Sequence, residues 1–222
     1  MTSSIISSQT ATLLDALYAD AAEKDPLARQ AAQAATAAPR NEREFFATMR
    51  NAYMPVSRQF GQLLYAMARS ARAASIVEFG TSFGVSTIFL AAALRDNGGG
   101  KVVTTEFEQS KADRARANLA AAGLDGFVEI RVGDALETLR SDPLRGIDLV
   151  LLDGAKTMYL DVLKLIEPGI RPGGIVASDN TDHDGLGPFL DYVRAPGNGY
   201  LSSAVLTQGR QRGMVHEVSI RL

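Results

Sequence analysis

The chain of 222 residues is 46% hydrophobic and carries a formal net charge of -2. That is enough apolar material for a substantial core, and no overall positive field exists to hold a nucleic-acid backbone or an anionic membrane. The absence of cysteine excludes disulfides, iron–sulfur clusters and thiolate zinc sites, and two histidines exclude almost every histidine-rich metal site.

The N-terminal MTSSIISSQT lacks a basic segment followed by an apolar one, and no apolar run approaches the roughly 20 residues that span a bilayer. A cytoplasmic protein without membrane contact is expected. Residues 8 to 70 read as helical: Leu13, Leu14 and Leu17 form a stripe, ARQAAQAATAA is alanine-rich, and Leu63, Leu64 and Met67 recur at helical spacing. From Ser75 the pattern changes to short β-rich runs, SIVEF, KVVTTE, FVEIRV, IDLVLLD and GIVASD, separated by helical segments. This alternation predicts a parallel sheet with helices on both faces. Beyond Pro188, YLSSAVLT and MVHEVSI flank QGRQRG and predict an antiparallel strand pair closing one side of the sheet. The expectation is one α/β domain over 1–222, with a mostly parallel seven-stranded sheet and a helical extension over about residues 1–56.

Four predicted parallel strands carry an acid at or near their carboxyl ends: Glu78, Glu106, Asp153 and Asp179. In an open parallel sheet these ends share one edge, where ligands bind. Each acid alone could simply cap the next helix. Four together repel one another unless a metal, a cationic cofactor or a hydroxyl-rich ligand sits among them.

The turn EFGTSFGVS, from Glu78 to Ser86, admits three readings. A dinucleotide fingerprint would need glycine where Glu78 stands, and a carboxylate is a poor neighbour for a pyrophosphate. A hydrolase elbow matches G-x-S-x-G around Ser82, with Asp153 or Asp179 and then His183 or His216 following in order. Such an elbow belongs on a central strand reached after earlier ones, and it leaves Glu106 unexplained. The third reading, E-x-G-x-x-x-G, suits S-adenosylmethionine, which has an amino group and a sulfonium but no phosphate. Glu106 is then placed to accept from ribose hydroxyls.

From about Met54 to Asn180 the sequence resembles the metal-dependent, catechol-type class I O-methyltransferases, a family that includes catechol and caffeoyl-CoA O-methyltransferases. The resemblance is carried by MPVSRQFGQLL, VEFGTSFGVST, VVTTEFEQSKADRARANL, VGDALETL, LLDGAKTMYL and ASDN, in that order. It implies a Rossmann-like class I methyltransferase fold. It also implies that Glu78, Gly80, Ser86, Glu106, Asp134, Ala135 and Asp153 line S-adenosylmethionine, with Met54 and Val56 closing over it. Ser86 would meet the methionine carboxylate, Glu106 the ribose, and Asp134 with Ala135 the adenine side.

By the same resemblance Asp153, Asp179 and Asn180 are the ligands of a divalent cation. Two carboxylates and an amide oxygen are hard ligands that suit Mg²⁺ or Ca²⁺, with Mg²⁺ expected. Lys156, three residues after Asp153 and expected in the first turn of the following helix, occupies the family's D-x-x-K position and is implied as general base. The expected acceptor is a small aromatic with adjacent hydroxyls, its pocket made by the N-terminal helices, the loop TDHDGLGPF with His183, and the region around Tyr200. Methylation of a hydroxylated tRNA base is the alternative, against which the acidic composition weighs. As in bacterial relatives, the helical N-terminus is expected to pack in a homodimer.

Overall fold

Each of the seven β-rich runs forms a strand in the computed structural model, which describes residues 3–34, 42–208 and 213–222. Three helices come first: α1 (Ser8–Ala34), α2 (Glu42–Thr48) and α3 (Arg58–Ser70). The alternating part then runs β1 (Ser75–Phe79), α4 (Val85–Asn97), β2 (Lys101–Glu106), α5 (Gln109–Ala121), β3 (Val128–Val132), α6 (Ala135–Ser141), β4 (Ile147–Leu152), α7 (Tyr159–Ile166), β5 (Ile170–Ser178) and α8 (Gly187–Arg194). Strands β6 (Tyr200–Gln208) and β7 (Gly213–Arg221) complete the order.

The sheet order is β3-β2-β1-β4-β5-β7-β6, with the first five strands parallel and β7 antiparallel between β5 and β6. This is the mostly parallel, Rossmann-like sheet that the sequence predicts. Neighbouring residues along each central strand serve opposite faces, as the two-residue period requires. Ile76, Leu149, Leu151 and Ala177 pack with Leu14, Phe60, Leu64, Ile88 and Phe89 of α1, α3 and α4. Val77, Val150, Leu152 and Val176 pack with Leu139, Val162, Leu163 and Phe189 of α6, α7 and α8. A sheet buried on both faces needs nearly continuous apolar strands, which explains why IDLVLL shows no clean polar alternation.

Two expectations are adjusted. The helical stretch read as 8 to 70 breaks after α2, because Met54 sits in the left-handed region (φ 45°) and Pro55 lacks a backbone N–H. Strand β5 begins at Ile170, four residues before GIVASD, and its register against β4 shifts between Ile147 and Leu149. The end of the alanine-rich stretch and the centre of QGRQRG lie outside the described residues.

Candidate active site

Sheet order reverses between β1 and β4, and the loops that leave the carboxyl ends of these strands diverge to opposite faces there. A cavity of about 1170 Å³ opens at this point. It exceeds the roughly 300–1,000 Å³ usual for one small ligand, so it has room for two reactants. Gly80 (φ 104°) lines it, and a Cβ there would stand 2.5 Å from the Asp153 carbonyl oxygen. Glycine is therefore required to bring the β1 and β4 loops together. Gly84 (φ 84°) starts α4 against Ala115.

On the β2 side, Glu106 ends its strand and accepts from the Ser82 N–H (2.8 Å) and the Glu108 N–H (2.9 Å). Burial raises its pKa above the ordinary carboxylate range, opposed by the Glu108 N–H and the charge of Lys111. Lys111, on α5, is 3% exposed and lines the cavity, with Nζ 3.2 Å from Ser82 Oγ and 5.6 Å from the centre of the Phe83 ring. Burial depresses its pKa, against the pull of Glu106 and Asp25. Sequence reasoning missed Lys111; its only signal was helical position, on the same buried side of α5 as Ala112, Ala115 and Leu119.

Glu78 is not among the residues that line the cavity. It is fully buried behind the wall, where Ser86 Oγ donates to Oε1 and Thr87 Oγ1 to Oε2, each at 2.6 Å. Burial raises its pKa and these hydroxyls oppose the shift. The physical reason is its place in β1, which turns the carboxylate toward the first turn of α4. Ser86 lines the cavity, but its hydroxyl proton serves Glu78. Asp134 and Ala135 line the cavity by β3, and Asp134 also caps α6 by accepting from the Leu136 N–H (2.8 Å).

Met54 and Val56 line the opposite wall, on a loop fixed from two sides. Asp25 of α1 accepts from the Tyr53 and Met54 N–H groups (2.7 and 3.0 Å), and the Tyr18 hydroxyl donates to the Val56 carbonyl (3.0 Å). From the other side, Ser82 Oγ donates to the Tyr53 carbonyl (2.7 Å). Asp25 had no signal in the sequence beyond being one acid among many on α1.

On the β4 and β5 side, Asp153, Asp179 and Asn180 converge. Asp153 and Asn180 line the cavity; Asp179, 2% exposed, lies just behind. Asn180 takes a left-handed conformation (φ 52°), which asparagine tolerates and which lets consecutive residues turn toward one site. Its amide donates to Asp179 Oδ2. Burial and the adjacent Asp179 charge hold the Asp153 carboxyl well above its ordinary range, opposed by Lys156. Lys156 sits in a short 3-10 turn just before α7, rather than in the helix itself. Its Nζ lies 3.6 Å from Asp153 Oδ1 and donates to the Tyr159 hydroxyl and to the Asp179 carbonyl (3.1 Å). Among the described residues no three His, Cys, Asp or Glu side chains form a metal cluster, so the donor set depends on the asparagine.

The remaining wall is mostly apolar. Phe45, Phe46 and Met49 contribute from the N-terminal part, Met158 from the turn after Lys156, and the exposed His183 from the loop after Asn180. Tyr200 is elsewhere: it pairs with Arg221, next to Ile220, which pairs with Ile175, so it sits level with the opposite end of the β5 core. Strand β6 is antiparallel to β7, which is itself antiparallel to β5, so β6 runs in the same direction as β5 and its first residue lies at the amino edge of the sheet. The hydrolase alternative lacks its serine–histidine contact, since the hydrogen bonds of Ser82 Oγ go to groups other than histidine. Ser82 Oγ bonds to the Tyr53 carbonyl and Lys111, while His216 is buried beside Asp179.

Residues 77–181 match the family model described as a methyltransferase domain. The catechol O-methyltransferase of Niastella koreensis is 34% identical over 133 residues, 59% of each chain, so the match spans less than two thirds of that relative's length. The protein named "Probable O-methyltransferase Rv1703c" of Mycobacterium tuberculosis is 31% identical over 159 residues, 67% of each chain. Among solved structures, the O-methyltransferase TomG from Streptomyces achromogenes, in complex with SAM, superposes with a TM-score of 0.69 at 29% identity, covering 87% of this chain and 88% of that one. No helix among the described residues is long and apolar enough to cross a membrane.

Proposed function

This chain belongs to the class I O-methyltransferase family, and on that premise we propose that it is an S-adenosylmethionine-dependent enzyme that methylates a hydroxyl of a small catechol-like aromatic with the help of a divalent cation. The observation that carries the reading is the division of one cavity. Glu106 stands at β2, and Asp153, Lys156 and Asn180 stand at β4 and β5, with Gly80 between them. Three strand spacings separate β2 from β5, roughly 14 Å at about 4.8 Å each, which suits a nucleoside at one end and reacting atoms at the other.

The residues present fit both groups. Ionised Glu106 can accept two ribose hydroxyls, and the first-turn N–H groups of α4 suit a carboxylate. Asp153 and Asp179 crowd two carboxylates together, and Asp179 Oδ1 is buried without an aligned hydrogen bond. With the Asn180 amide they make an oxygen donor set for Mg²⁺. When bound, the cofactor would supply the methyl group and the cation would hold and acidify the acceptor hydroxyl. Lys156 takes the acceptor proton at Nζ, held in place by the Tyr159 hydroxyl and the Asp179 carbonyl. Met54 and Val56, pinned by Asp25 and Tyr18, exclude water over the reacting centre. Phe45, Phe46, Met49 and Met158 offer apolar surface to an aromatic ring. The same reading keeps residues 1–222 as one methyltransferase domain with its helical extension, placed in the cytoplasm as a homodimer, which light scattering would test.

Titration calorimetry with S-adenosylmethionine, followed by methyl-transfer assays on a panel of catechols, tests the proposal. Micromolar cofactor binding and transfer to at least one catechol are expected. Cofactor binding without transfer to any vicinal diol would overturn the acceptor class, and lack of cofactor binding would overturn the whole reading.

A further inference from the structure

We propose that His216, on β7, is a positioning residue that fixes the Asp179 carboxylate for the cation; this rests on the metal reading above. The Thr181 N–H donates to the Val215 carbonyl at 2.7 Å, which ties the segment after β5 to β7 and brings His216 beside Asp179. His216 is fully buried, and its ring lies flat on Phe60, with centroids 3.8 Å apart and 4° between planes. Nε2 stands 2.7 Å from Thr207 Oγ1 on β6, which is 3.3 Å from Ser57 Oγ, the cap of α3. Nδ1 stands 3.0 Å from Asp179 Oδ1.

The contact with Asp179 is within reach but is not aligned as a full hydrogen bond, and among the described residues neither atom has another hydrogen-bond partner. Two buried polar atoms facing each other with no alternative partner are a donor and acceptor for one another, because leaving both unmade is costly. The carboxylate sets the direction, because it can only accept, and the hydroxyl chain is compatible with it. With the Ser57 hydroxyl donating to Thr207 and the Thr207 hydroxyl donating to Nε2, the imidazole proton rests on Nδ1 and faces Oδ1. Oδ2 is then left on the Asn180 side, next to its partner in the proposed donor set. A ring clamped by Phe60 and Thr207 gives the carboxylate a fixed plane, which is how an outer partner raises the affinity of a metal ligand.

A buried histidine could also serve packing alone, and cation affinity separates the two roles. Mn²⁺ binding to the full chain with S-adenosylhomocysteine bound, followed by the paramagnetic resonance of free Mn²⁺, provides the readout. His216→Leu is expected to weaken Mn²⁺ roughly 10- to 100-fold while S-adenosylhomocysteine affinity stays unchanged. His216→Asn, whose amide N–H stands near the place of Nδ1, is expected to recover most of the loss. His216→Gln, whose amide stands nearer Nε2, is expected not to, and this pair decides the question if the leucine variant does not fold. Wild-type Mn²⁺ affinity in His216→Leu, or equal affinity in the asparagine and glutamine variants, overturns the proposal while the metal reading stands. A wild-type chain that binds S-adenosylhomocysteine but takes up no Mn²⁺ overturns the metal reading and this proposal with it.

Discussion

Burial raises the pKa of the carboxylates at both ends of the cavity, but the groups that oppose the rise differ. Glu106 receives two backbone N–H groups and has a buried lysine beside it, so the protein itself supplies the positive potential that an ionised acid needs. Asp153 faces another carboxylate, with Lys156 3.6 Å away and also committed to Tyr159 and the Asp179 carbonyl. One end offsets much of its carboxylate's charge with its own donors and lysine and suits a ligand with hydroxyls and little net charge. The other is short of positive charge and suits a cation.

That contrast is sharpened first by Lys156→Ala. Removing a general base should lower kcat by roughly 10²- to 10⁴-fold, with S-adenosylhomocysteine affinity unchanged by calorimetry; an unchanged kcat would deny the acidic end its chemical role. Next in size is cation-linked stability. With Mg²⁺ at 100 times its Kd the wild-type chain should gain about 2.7 kcal/mol in denaturant unfolding. Asp153→Asn should gain nothing from Mg²⁺ and exceed the wild type in chelator, since one of two crowded charges is gone. At the other end, Glu106→Gln should weaken S-adenosylhomocysteine by roughly 10- to 100-fold, from charged hydrogen bonds worth about 1.5–3 kcal/mol, without altering the response to Mg²⁺. Equal effects of both substitutions on both ligands would erase the division.

The smallest effect concerns pH. Burial raises the Glu106 pKa and the Lys111 charge opposes that rise. The proposed ribose contacts need the ionised form, so cofactor affinity is present above the Glu106 pKa and falls as pH drops through it. Lys111→Met removes the opposing charge, and the loss should begin at a higher pH than in the wild type. A calorimetric titration of S-adenosylhomocysteine across the mildly acidic range checks this, and coincident profiles would remove Lys111 from the account.

Strand content and strand ends were legible because they depend on local pattern. Runs such as KVVTTE and IDLVLLD carry their own β preference, and the acids that follow them fall on the carboxyl edge by the rule for parallel sheets. Which way a side chain faces was less legible. Glu78 and Glu106 look alike as acids in or ending a strand, yet only Glu106 reaches the cavity, because Glu78 is turned toward the hydroxyls of Ser86 and Thr87. Contacts made across long sequence separations were illegible. Asp25 grips a loop 28 and 29 residues away, and His216 meets Asp179 only because β7 inserts between β5 and β6. Tyr200 was misplaced for the same reason, since composition does not reveal the direction in which a late strand enters the sheet.

The central claim is tested most directly by methyl transfer to a catechol and to the same ring with one hydroxyl, each measured with Mg²⁺ and with the cation removed by chelator. The account predicts transfer to the catechol alone, abolished by chelator and restored by Mg²⁺. Undiminished transfer in chelator, or equal transfer to the single hydroxyl, would contradict it.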